Sequence, residues 1–185
     1  MSKELTAFEA LAEAQEISCL PFKFQAAASL VDLGVLNALD RAGDRGCSEE
    51  EIKASTHLSA YAMDVLLASA LSFGLVRKED GRYYATKVSF FLLNDPMARV
   101  NMNFARHVCY LGLSELSASL TEGRPAGLKY VAEGETIYPH LKDLEPTVKK
   151  SWFEFDHFYS DNAFNEALRE ILKLQPKTLS DIGGN

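Results

Sequence analysis

Residues 48–86 read SEEEIKASTHLSAYAMDVLLASALSFGLVRKEDGRYYAT, and the division of this stretch into elements decides the fold. It opens on Ser48 followed three residues later by Glu51, the spacing of a capping box. The hydroxyl accepts from the third helical amide, and the carboxylate reaches back to the cap amide. Glu49, Glu50 and Glu51 also sit where the positive end of a helix dipole favours carboxylates. A short helix therefore starts here. After a break at residues 56–59, the spacing of Met63, Leu66, Leu67, Ala70 and Leu71 predicts a longer helix with those side chains on one face, ended by Gly74. Two extended segments then flank Glu79-Asp80-Gly81. Asp-Gly between β-type residues marks a hairpin, because both central turn positions favour positive φ.

Upstream, FQAAASLVDLGVLNALD (residues 24–40) places Phe24, Ala27, Leu30, Val31 and Leu36 near helical spacing, with Gly34 ending one helix before a short second one. Helix, short helix, longer helix and hairpin is the order of a winged helix-turn-helix. Downstream, helical patterning resumes after Asn94-Asp95-Pro96 and closes at Gly123-Arg124-Pro125. A looser stretch over 126–146 follows. Residues 147–174 then predict one long or two consecutive helices, with Phe164, Leu168, Ile171 and Leu172 facing inward. Pro176 stops this helix, and KTLSDI (177–182) reads as a short strand. The fold class expected is mainly α. The chain divides into a winged helix at 1–95, a helical connector at 96–175 and a terminal stub at 176–185.

Composition narrows the function. The chain has 185 residues, 47% hydrophobic and 24% charged, room for one large domain or two small ones. No run approaches the roughly 18–20 apolar residues of a membrane helix, and the N-terminus lacks a signal-peptide core. A cytoplasmic protein with no membrane partner is expected. Cys19, Cys47 and Cys109 are far apart, as are His57, His107, His140 and His157, so neither a disulfide framework nor a metal site is expected.

A winged helix raises the question of DNA. Net charge is -7, which opposes phosphate neutralisation. Residues 60–74 contain no lysine or arginine and a single charge, Asp64, whereas a recognition helix presents cationic or amide side chains to base edges. Such a greasy helix is expected to be covered by protein: its own neighbours or a second subunit. The hairpin does carry Arg77, Lys78, Arg82 and Lys87, so a DNA-binding transcription regulator stands as the alternative.

The segments FQAAASLVDLGVLNALD, SEEEIKAST, LLASALSFGLVRKEDGRYYAT, SWFEFDHFYSDNAFNEAL and LSDIGGN occur in an order that resembles S-adenosylmethionine-dependent O-methyltransferases acting on small hydroxylated molecules, with an N-terminal winged-helix dimerisation domain. The resemblance covers nearly the whole chain and implies a winged-helix dimerisation domain at 1–95, a helical connector with an acceptor-pocket region at 96–175, and a stub at 176–185 ending in the first strand of a missing Rossmann-like methyltransferase domain. It also implies a homodimer, S-adenosylmethionine as cofactor and a small-molecule methyl acceptor, with no nucleic acid. It places Asp181 and Gly183 as the acid and first glycine of the cofactor turn, with Asn185 where a second glycine is usual and Ser180 in place of an apolar residue. It places Phe155 near the reacting methyl, and Asp156 and Tyr159 beside the acceptor. Tyr159 replaces a methionine and adds a hydroxyl. His107 stands between lining that pocket and a structural role. Trp152, Phe155 and Tyr159 also have the spacing of an ordinary core stripe, and His157 with Asp161 that of a helix-surface pair. No catalytic residue is assigned, since the base is expected downstream of Asn185. The chain alone is expected neither to bind cofactor nor to transfer methyl groups.

Overall fold

A computed structural model describes residues 4–180. The chain forms two compact units, divided after Ala98.

The first unit begins with α1 (Ala7–Asp32), opened by a capping box of Thr6 and Glu9. Gly34, at φ 76, turns the chain into α2 (Val35–Ala42); the left-handed conformation it adopts suits glycine, which has no Cβ to clash. Next come α3 (Glu49–Thr56) and α4 (Ala60–Ser72). The hairpin pairs β1 (Val76–Glu79) with β2 (Arg82–Ala85) in antiparallel register, Val76 opposite Ala85 and Glu79 opposite Arg82. Its two-residue turn has Asp80 at φ 48 and Gly81 at φ 77, as the Asp-Gly signal requires. A bridge from Cys47 to Tyr83 adds a short third rung. α5 (Lys87–Asn94) follows, capped by Thr86. Leu30, Val35, Leu36, Leu39, Ile52, Met63 and Leu75 are fully buried in one core. Each contributes roughly 1.5–3 kcal/mol of transfer free energy.

One polar junction ties this unit together. The Ser48–Glu51 capping box forms as the sequence predicts. Glu51 also accepts from Arg45 and Arg82, each at 2.6 Å, while Arg82 donates to the carbonyls of Arg45 and Gly46 at 2.9 and 3.0 Å. The Ser48 amide, and then Arg45, hold the Glu51 carboxyl well down, from 4.5 to about 2. Because the folded-state pKa is depressed, the stability this group contributes is complete above about pH 4.5 and is lost as pH falls towards 2. In an acid titration followed by far-UV circular dichroism, Glu51→Gln is therefore expected to flatten the decline across that window; a decline as steep as in the parent would contradict this assignment.

α4 differs in part from expectation. Met63, Leu66, Leu67 and Ala70 are buried against the unit, with α1 among the neighbours, but Leu71, at the edge of that face, is exposed, as are Tyr61 and Val65 on the far side. Within the first unit the outer face of this helix is uncovered. The same is true of the front of α1: residues 4–22 are exposed apart from a half-buried Glu9, although Phe8, Leu11, Ile17, Leu20 and Phe22 are apolar.

α6 (Pro96–Phe104) carries the chain into the second unit. A π-helical turn (Ala105–Cys109), α7 (Tyr110–Leu113) and α8 (Leu116–Glu122) continue it, and Gly123 ends the run. Two 3-10 segments, Ala126–Tyr130 and Tyr138–Asp143, occupy the looser stretch. α9 (Pro146–Lys173) is the long helix, with Glu145 accepting from the amides of Thr147 and Val148 at 2.9 and 3.1 Å. Two expectations need correction. Phe164, Leu168 and Leu172 are exposed, because no described element reaches that stripe of α9. The strand expected over 177–182 is absent from residues 177–180: a β-strand needs a neighbouring strand to pair with, and none lies beside it among the described residues. Those residues form no sheet beyond the hairpin, and none of their helices is by itself long and apolar enough to cross a membrane.

Candidate functional site

The polar and aromatic side chains of the second unit converge where α6 and the π-helical turn meet α9. Asn101 and Phe104 lie three residues apart on α6, and His107 three further on, inside the π-helical turn. Such turns insert one extra residue and re-aim the side chains they carry. From α9, Ser151, Phe155 and Tyr159 descend at four-residue spacing, so they share a face. The Phe104 and Phe155 rings stack at 4.0 Å between centroids and 18°. Trp152 tilts against Phe104 at 5.8 Å, and Phe155 against Tyr159 at 4.9 Å. The Tyr159 hydroxyl donates to Asn101 Oδ1 at 2.8 Å. His107 Nδ1 and Ser151 Oγ share a hydrogen bond of 2.8 Å, and Ser151 is buried. This satisfies a polar group that would otherwise be stranded.

Thus Phe155 and Tyr159 are neighbours, half-buried and half-exposed respectively, and His107 is anchored to the same helix through Ser151. Asp156 is half-buried on the adjoining face of α9. His157 pairs with Asp161 at 3.0 Å on the surface, as its spacing suggests. Asp181 and Gly183 lie outside the described residues. Asn101, Phe104 and Ser151 are additional members that sequence reading passed over. Their signal was the matching three- and four-residue spacing on two helices, which becomes informative only once the helices are known to face each other.

Beside this cluster lies a hollow of about 370 Å³. Trp152, Leu113, Leu128, Val131 and Ile137 contribute apolar walls, and Glu135 lies on its lining. Gly112 and Gly127, whose backbones approach closely, are also on its lining. Cys109 also borders the hollow, but burial pushes its thiol pKa up, which disfavours a nucleophilic thiolate. Nearby, Glu115 accepts from Lys129 Nζ at 2.9 Å and the Tyr130 hydroxyl at 3.2 Å, and these bonds hold its carboxyl below the usual range. They lash the first 3-10 segment to the α7–α8 junction.

In the first unit, three cations of the hairpin, Arg77, Lys78 and Arg82, have intramolecular partners. Arg77 pairs with Glu79 and lies 4.2 Å over the Tyr84 ring. Lys78 donates to the Tyr83 hydroxyl at 3.0 Å, and Arg82 is held in the Glu51 junction. Among the described residues no group of acidic, histidine and cysteine side chains is arranged to hold a metal.

Residues 12–83 match the family model described as the Dimerisation2-like domain. The L-tyrosine C(3)-methyltransferase of Streptomyces lavendulae is 31% identical over 144 residues, which cover 75% of this chain and 39% of that protein. Among solved structures, the S-adenosylmethionine-dependent methyltransferase SibL in its apo form superposes with a TM-score of 0.70 at 21% identity, over 82% of this chain and 45% of its own. The mitomycin 7-O-methyltransferase MmcR gives 0.62 at 19% identity, again over 82% and 45%. The chain therefore spans less than half the length of these relatives.

Proposed function

We propose that the chain belongs to the S-adenosylmethionine-dependent O-methyltransferase family with an N-terminal dimerisation domain, and that it is the homodimerisation and acceptor-pocket region of a cytoplasmic methyltransferase. In this reading the first unit is a winged-helix module turned to assembly. The observation that carries the reading is the bare apolar surface of α1 and of the outer face of α4 within a domain of the Dimerisation2-like type. Exposed apolar area on this scale marks an interaction surface, and a symmetric dimer is the commonest way to cover it. The alternative of DNA recognition is disfavoured, because α4 offers no cation and Arg77, Lys78 and Arg82 have protein partners.

The second unit would supply part of the acceptor pocket. Methyl transfer from a sulfonium requires the acceptor to be aligned and shielded from water. Phe155 would lie near the cofactor's methyl group, with Tyr159, Asp156 and His107 beside a small, hydroxylated, aromatic or polyketide-like acceptor. S-adenosylmethionine belongs to the whole enzyme, with Asp181 and Gly183 in its glycine turn, rather than to this chain by itself. The acceptor atom is not fixed by this region, since one relative is named for carbon methylation and another for oxygen methylation. Size-exclusion chromatography with light scattering tests the reading: twice the chain mass of 20.5 kDa is expected, with no DNA mobility shift at low salt. A monomer that shifts DNA in a salt-sensitive manner would overturn it.

A further inference from the structure

The hollow in the second unit shares Trp152 with the aromatic cluster, but Phe155, Asp156, Tyr159 and His107 are not among its lining residues. It is therefore separate from the positions assigned to the methyl acceptor. We propose that this hollow is a binding site for a small planar aromatic cation, its ring against Trp152 and the aliphatic lining and its ammonium group directed to Glu135.

Three observations carry the proposal. The volume, about 370 Å³, lies at the lower end of small-molecule pockets and suits one or two rings. The lining is mostly apolar, with the Trp152 indole alongside Leu113, Leu128, Val131 and Ile137. Glu135 is the only acidic residue of the lining, which contains no lysine, arginine or histidine, so the local charge favours a cation over a neutral or anionic ligand of equal shape. Tryptophan also presents the best aromatic face for a cation. Gly112 and Gly127 line the hollow without side chains, so a ligand there would meet backbone. The site requires neither cofactor nor methyl transfer, and its failure would leave the assembly reading untouched.

Trp152 is the chain's only tryptophan, so its fluorescence reports occupancy directly. Titrations of the whole chain with tyramine, 4-ethylphenol and 4-hydroxyphenylacetate present one ring with a cationic, neutral or anionic arm. Saturable quenching is expected in that order of affinity. Tyramine should bind about threefold tighter than 4-ethylphenol, the scale of an exposed charge pair. Glu135→Gln should erase that difference and leave 4-ethylphenol binding unchanged. Val131→Phe should fill the hollow and abolish all three, while Tyr159→Ala should leave them intact. The proposal is overturned by the absence of saturable quenching, by tyramine selectivity that survives Glu135→Gln, or by a loss on Tyr159→Ala equal to that on Val131→Phe. The last outcome would move the ligand to the Phe104–Phe155 cluster. Because Glu135 is an exposed loop residue, its variant keeps the test decisive even if Val131→Phe disturbs packing.

Discussion

Gly127→Ala is expected to destabilise the second unit by about 2–3 kcal/mol, the range of overpacking in a closed site. A Cβ at this position would lie 2.8 Å from Gly112 Cα and 2.9 Å from its carbonyl carbon, and closer still to its oxygen. All three atoms are backbone, so no rotamer change relieves the clash; α7 or the Ala126–Tyr130 segment has to move. Gly112→Ala is the informative partner. Its Cβ would meet the Gly127 oxygen at 3.2 Å and the remaining atoms at 3.6 Å. That modest squeeze is opposed by a gain of roughly 0.5–1 kcal/mol from replacing glycine inside a helix. Its net effect is expected to fall within about 1 kcal/mol of zero. Urea denaturation followed by Trp152 fluorescence reads the second unit, where that residue lies, and far-UV circular dichroism reads both units. A loss in Gly127→Ala no greater than that in Gly112→Ala would mean that the two segments are not held at this separation.

The sequence announces the first unit more clearly than the second, and the reason is local chemistry. Ser48 with Glu51, and Asp80 with Gly81, define a helix start and a turn by bonds and torsions inside four residues, and both form as expected. Thr6-Ala7-Phe8-Glu9 carries the same capping signal, yet the helix it opens has no apolar face turned to its own unit until Phe24, so the periodicity that reveals core helices gives little sign of it. In the second unit the elements depend on partners. The π-helical turn at Ala105–Cys109 has no periodic signature of its own, since one extra residue shifts the face by a single position. The stripe from Phe164 to Leu172 has an amphipathic pattern, but whether it faces inward depends on what lies against it. Pairings across 44 and 58 residues, His107 to Ser151 and Asn101 to Tyr159, are invisible to spacing rules altogether.

Ile17→Glu combined with Leu20→Glu is expected to convert a dimer into a monomer. Ile17, Leu20, Phe24, Ala27 and Val31 recur at three- and four-residue intervals, so they form one stripe along α1. In its second half the stripe is covered: Ala27 is buried, and Val31 packs against the core. In its first half the same stripe is bare, with Ile17 67% and Leu20 46% exposed. Phe8, Leu11 and Phe22 form a second bare stripe on the opposite side, with Phe22 70% exposed. An isolated amphipathic helix gains little from propensity alone and is held by burial of its apolar face; a front half without cover in its own unit therefore calls for cover from outside it. In the proposed dimer a second copy would supply this cover while keeping the stripe continuous from one protomer to the next. Two buried carboxylates replacing two aliphatic anchors should weaken association at least about a hundredfold, since each anchor of a central patch contributes about 2 kcal/mol or more. Glutamate is a good helix former, so far-UV circular dichroism should hold while light scattering falls to the monomer mass. Ala14→Gln, on the same exposed segment but between the two stripes, should leave the dimer intact. If the double variant stays dimeric, the arm is not part of the interface, and the outer face of α4 with Tyr61, Val65 and Leu71 must carry the assembly without it.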